Sequence, residues 1–169
     1  MKKRLLSLLL ALSLLNIPVL AAENSTDNFT RSKTYSGQFS DLPEDHTFYE
    51  NVAALYEYGL SVGQTDGTYG LVAHMTVGQA VIFAGRIRSL YRTGDPEAGP
   101  AAFTAAAVEL KGAQRTYAPY LWYLQSEGVL DKALDNQLSQ MATRAQMAHV
   151  LADLLPETAL PLINDSLVT

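Results

Sequence analysis

The chain has no cysteine among its 169 residues. That excludes disulfides, thiolate metal sites, thiol catalysis and redox exchange. Without disulfides the chain has only its apolar core to hold it together. Cations are also scarce, with 12 Lys and Arg against 17 Asp and Glu. Three of the 12 stand at Lys2, Lys3 and Arg4. Without them the net charge is −8, a poor match for nucleic acid. Catalytic and metal signatures are missing too. No Gly-x-Ser-x-Gly occurs, and none of His46, His74 or His149 has a second His or carboxylate at ligand spacing. The three read as solvated histidines. Glu44-Asp45 is an adjacent pair, and neighbours in a loop do not face each other across a substrate. We therefore expect no enzyme, no metal and no cofactor.

Alternation of apolar and polar residues is absent as well, which argues against half-buried strands. The one long apolar run, Leu5 to Leu15, follows the three cations and precedes Pro18 and Val19-Leu20-Ala21-Ala22. This pattern predicts a secretory signal peptide over 1–22, too short for a membrane span, and no membrane contact after cleavage. No cysteine stands near the cleavage site for lipid attachment. Residues 23–38 are polar and aperiodic and read as a flexible spacer. Asn24-x-Thr26 and Asn28-x-Thr30 within them match glycosylation sequons, a pattern common in polar tracts.

Beyond the spacer the chain says one thing twice. Phe48 to Tyr91 and Thr116 to Pro156 each hold an aromatic-rich segment ending in Gly (Gly59, Gly128). Each continues through a polar loop to Thr-x-x-Gln (Thr76/Gln79, Thr143/Gln146) and a second periodic segment. Gly59 and Gly128 suit a left-handed helix stop. The Thr-x-x-Gln pairs are capping boxes, in which each side chain satisfies the other residue's free backbone N–H. Val52, Leu55 and Tyr56 share a face of the first helix, about 48–58. Ala80, Phe83, Ala84, Ile87 and Tyr91 form a stripe on the second. Asp66-Gly67 is a turn with Tyr69 packing over it. A connector, 93–115, carries a short helix from Ala101 to Leu110. The helix at 117–127 and a last helix with Met147, Val150, Leu151 and Leu154 on one face complete the second repeat, and Pro156 closes it. The fold class is all-α, helix–loop–helix repeats over 39–92 and 116–156. The tail 157–169 has no third helix pair.

One segment carries suggestive chemistry. In Thr143-Arg144-Ala145-Gln146 an arginine stands in the first turn of a capped helix, where the dipole disfavours a cation. An anion in front of that helix would account for it, held by free N–H groups and the guanidinium fork. The alternative is a solvated arginine. The first repeat has Val77 at this place, so the repeats cannot bind alike. Tyr49, Tyr56, Tyr120 and Tyr123 stand at helical spacing and read as core, whereas Trp122 lies off the Leu121/Leu124 stripe as an exposed or inter-repeat aromatic.

At this point the chain resembles the S-layer homology family of bacterial surface proteins. The residues are Phe39-Ser40-Asp41-Leu42, Gly59-Leu60-Ser61-Val62-Gly63, Asp66-Gly67-Thr68-Tyr69, Met75-Thr76 and Thr143-Arg144-Ala145-Gln146. Phe48-Tyr49 stands where Trp-Ala is usual, Gln146 replaces Glu, and the second repeat lacks Asp-Gly. The resemblance implies modules that come in threes and form a three-pronged pseudo-trimer, here partial. Leu162-Ile163-Asn164-Asp165 looks like the lead-in to a third module. It further implies non-catalytic anchoring at the bacterial cell surface, cell wall or S-layer. The partner would be secondary cell-wall polysaccharide, often recognised through a pyruvyl-ketal carboxylate on an amino sugar. Arg144 would be the main contact, with Thr143, Gln146, Asp41 and Trp122 the other glycan-binding candidates. The alternative function is an assembly scaffold that has lost glycan binding and self-associates or recruits another such module.

Overall fold

A computed structural model describes residues 24–160. The expected signal peptide and the lead-in at 162–165 lie outside the described residues. Among those described there are five α-helices and no strand: α1 Tyr49–Glu57, α2 Val77–Thr93, α3 Ala98–Ala101, α4 Ala113–Ser126 and α5 Arg144–Leu151. The all-α expectation is borne out. No helix among them is long and apolar enough to cross a membrane.

Both capping boxes form. Thr76 Oγ1 accepts from the Gln79 amide at 3.2 Å, and Gln79 Oε1 accepts from the Thr76 amide at 2.8 Å. Thr143 and Gln146 repeat the pattern at the same distances. Gly59 (φ 71°) and Gly128 (φ 70°) take the left-handed conformation that stops α1 and α4. The Asp66-Gly67 turn forms as expected, with Asp66 Oδ1 accepting from the Thr68 amide and hydroxyl. Tyr69 folds back to put its ring 5.5 Å from Phe39.

α2 is the centre of the molecule. The sequence marks one stripe, yet Val77, Gly78, Val81, Gly85, Ser89 and Leu90 are buried alongside Ala80, Ala84 and Tyr91. Phe83 and Ile87 are only half-buried. The extra burial comes from α4, α5 and the 128–142 loop, which wrap it from several sides. Leu121, Leu124, Leu130, Leu134, Leu138, Val150 and Leu154 join the α2 residues in one core cluster. A smaller cluster of Phe39, Leu42 and Val52, edged by Tyr35, Tyr49, Tyr56 and Tyr69, holds α1. The tyrosines read as core therefore pack as expected, although the Tyr120 hydroxyl also donates to Glu97. Burial, then the Glu97 acceptor, pushes the Tyr120 hydroxyl up to about 12, and burial does the same to Tyr123.

Four further expectations, on the extent of elements and on the spacer, need correction. The connector helix spans only 98–101, because 102–110 makes i→i+3 bonds such as Thr104 N–H to Ala101 O and buries only Ala107 fully. α4 begins at Ala113, a turn before the expected start. α5 stops at Leu151, which is 37% exposed, so only Val150, Leu154 and the half-buried Met147 of its expected stripe face the core. Finally, residues 24–38, read as a spacer, form a strap. The Ser25 amide and Asn28 Nδ2 both donate to Tyr91 O near the end of α2, and the Ser32 and Lys33 amides donate to Glu57 O at the end of α1. These bonds supply donors to carbonyls that a helix end leaves unpaired. An Arg31–Glu57 ion pair at 2.9 Å adds to the strap.

A second ionic cluster ties the end of the second repeat to α2. Glu127 takes Arg88 at 3.1 Å and Arg92 at 3.3 Å, and Arg88 Nη1 also donates to Leu154 O. His149 is not simply solvated: its Nε2 lies 3.4 Å from Asp131 Oδ1.

Candidate functional site

The two Thr-x-x-Gln helix starts have the same local build and opposite surroundings. A helix start leaves its first backbone N–H groups without intrahelical acceptors. On α2 these are filled by the second repeat. The Val77 amide donates to Gln140 O at 2.9 Å and the Gly78 amide to Leu138 O at 2.8 Å, while Ala142 N–H returns a bond to Met75 O. Thr76 and Met141 pair as an isolated antiparallel bridge. Val77 is 0% exposed, inside the core cluster. The absence of an arginine there now has a physical reason. That position is the joint between the repeats, and a guanidinium in it would be desolvated without a partner.

At α5 the corresponding amides, those of Arg144 and Ala145, have no acceptor among the described residues. The Arg144 side chain is exposed and makes no ion pair there. Two free N–H groups, a helix-dipole end and an unpaired guanidinium thus share one short stretch. Groups of this kind suit carboxylate or phosphate oxygens.

The other sequence-predicted residues divide. Thr143 and Gln146 stand in this same turn but are occupied with building it. Beyond the capping box, Gln146 Nε2 donates to Gln137 Oε1 at 2.7 Å, which fixes the loop against the helix start. Trp122 is half-buried on α4 and has no aromatic partner among the described residues.

Asp41 belongs to the first repeat's small cluster. Its Oδ1 accepts from the Tyr69 amide at 2.6 Å, and its Oδ2 from the Gly70 and Leu71 amides at 2.8 and 3.2 Å. The carboxylate clamps the loop after the Asp-Gly turn. The Tyr69 bond, followed by those of Gly70 and Leu71, holds its carboxyl below the usual range against the opposing effect of desolvation. A folded value below the unfolded one stabilises above about pH 3.9 and fades as pH falls through the folded value. In an acid titration followed by amide NMR, the Tyr69 and Gly70 signals are expected to move with a midpoint below about 3.9. A midpoint at or above the ordinary aspartate value would contradict the clamp.

What sequence reasoning missed is the plug itself, the Leu138 and Gln140 carbonyls that silence one helix start and leave the other open. The available signal was Gly78 with Gly85, seven apart on one helix face. A Cβ at Gly78 would lie 2.5 Å from Tyr117 Cδ2, and one at Gly85 2.9 Å from Tyr120 Cδ1. Each glycine lets an α4 tyrosine lie directly on α2.

Comparison with known families places one segment. Residues 38–70 match the family described as S-layer homology domain. The match runs from the Phe39 opening through α1 and the Asp66-Gly67 turn, so the resemblance is borne out over that span. Modules of this family serve cell-surface and cell-wall anchoring and are not catalytic. No curated protein and no solved structure matches the chain.

Proposed function

We propose that this chain is a secreted protein that attaches non-covalently to cell-wall polysaccharide by seating an acidic sugar on the start of α5. The carrying observation is the contrast between the two helix starts, with the Val77 and Gly78 amides filled and those of Arg144 and Ala145 open. A pyruvyl-ketal carboxylate on an amino sugar suits the opening: one oxygen takes the backbone amides and the guanidinium fork takes the other. Thr143 and Gln146 hold the helix start in shape. Trp122 offers an apolar ring face to a neighbouring sugar of the same polymer. Asp41 contributes at a distance, by fixing the loop of the first repeat.

Amide NMR with a pyruvylated amino sugar tests this reading. Saturable shifts are expected at Arg144 and Ala145, with Val77 and Gly78 unmoved. Shifts at neither residue, or equal shifts at both helix starts, would reject the site.

One observation favours a second reading, assembly with another helix–loop–helix module. Among the described residues, nothing covers the outward face of α5, where the same face of α2 is covered.

A further inference from the structure

Aligning the two capping boxes places Gly78, Val81, Ala84 and Gly85 of α2 against Ala145, Ala148, Leu151 and Ala152 at α5. The four α2 residues are all buried, with Tyr117 lying over Gly78 and Tyr120 over Gly85. The four α5 counterparts are all exposed. They adjoin an apolar groove of about 200 Å³ lined by Ile87, Leu154, Leu155 and Leu160. The open Arg144 and Ala145 amides sit at one end of this face. The chain itself shows what covers such a face: an aromatic from the other repeat's first helix, and two carbonyls from the loop before its second.

The first repeat carries part of the same covering, unused: an aromatic at the place of Tyr117 and two carbonyls before its second helix, with Asn51 at the place of Tyr120. Aligning the helix stops Gly59 and Gly128 puts Phe48 at the place of Tyr117, and Phe48 is 57% exposed. Aligning the capping boxes puts Leu71 and Ala73 at the places of Leu138 and Gln140. Neither carbonyl accepts a hydrogen bond among the described residues, and Val72 between them is 96% exposed. Among the described residues the joint is made once, in one direction, and each of its halves is left over once.

We propose that a second copy of this chain completes it: α1 and the 71–75 segment of one molecule seat on α5 of the next. This rests on the assembly reading of that face and not on glycan binding. The contact is head-to-tail, so association does not stop at a dimer unless a ring closes. Ala145 stands where α2 has Gly78, which keeps the incoming Phe48 ring farther out than Tyr117 lies, and Asn51 brings no ring to Ala152. The intermolecular joint is accordingly weaker than the internal one and reversible. The Arg144 and Ala145 amides are shared by both roles, so a bound carboxylate and a docked neighbour exclude each other.

Sedimentation velocity of the purified protein up to roughly 1 mM tests the proposal. The weight-average mass is expected to rise about twofold or more across the series. Ala148→Glu breaks the α5 half of the joint and Phe48→Ser the α1 half. Both positions are exposed, and circular dichroism checks that each variant folds. Each variant alone is expected to stay monomeric. Mixing the two restores a 1:1 heterodimer that grows no further, because one intact half remains on each partner. A wild type that stays monomeric would overturn the joint between copies and leave the assembly reading only for a module of another chain. Wild-type association that neither variant disturbs, or a mixture that fails to pair, would overturn the joint and keep assembly. Phe48→Ser is expected to leave wall binding intact, which separates this proposal from the glycan site.

Discussion

Gly78→Val is expected to cost about 2–4 kcal/mol of stability and to lower Tm by roughly 10 °C. Gly78 is buried in the first turn of α2, and a Cβ there would stand 2.5 Å from a ring carbon of Tyr117. The ring cannot swing aside freely, because Tyr117 packs against the core cluster. α4 must move off α2 instead. That strains the packing and stretches the bond from the Gly78 amide to Leu138 O. Helix propensity runs the other way, since glycine is the poorer helix former. A net loss would therefore show that packing at the joint outweighs propensity. The matched control is Ala145→Val on α5, exposed at the equivalent place, where a change of about 0.5 kcal/mol is expected. Thermal unfolding of the two variants checks the pair. Equal effects would mean that the two helix starts are not in different surroundings.

Arg144→Ala is expected to weaken wall binding by roughly tenfold to a hundredfold, the loss of one charge-assisted contact of about 1.5–3 kcal/mol. The fold should not change, because Arg144 is exposed and has no partner among the described residues. Alanine also suits a first helical turn at least as well as arginine. Binding should not vanish, since the Arg144 and Ala145 amides remain. Pelleting curves with purified walls measure the shift in the midpoint. An unchanged midpoint would leave Arg144 a solvated surface residue.

The sequence carried the local plan well. Capping boxes, glycine stops and the Asp-Gly turn are short-range devices, and each is formed by residues within a few positions of one another. Thr76/Gln79 and Thr143/Gln146 take the geometry that their spacing dictates. The strap of residues 24–38 was not legible, because it is held by long-range bonds from Ser25 and Asn28 to Tyr91 and from Ser32 and Lys33 to Glu57. Polar residues that cap another element's carbonyls look the same as polar residues in solvent. The connector helix failed for the opposite reason. Ala-rich composition favours a helix, but nothing packs on 102–110 except at Ala107 and the half-buried Phe103 and Leu110, so only one turn forms.

The candidate site was half legible. An arginine against the helix dipole pointed to Arg144. The reason the first repeat has no counterpart was not readable at all, since it depends on where the Leu138 and Gln140 carbonyls fall in space. Val77 showed only that the repeats cannot bind alike, and it is a buried joint residue. The difference between the repeats follows from a division of labour. One helix start holds the two repeats together, and the other is left with its amides and guanidinium open among the described residues.

The most direct test of anchoring is co-sedimentation of the protein with purified cell walls before and after extraction of their secondary polysaccharide. The protein is expected to pellet with the intact walls and to stay in solution with the extracted ones. Equal pelleting with both preparations, or none with either, would contradict the account.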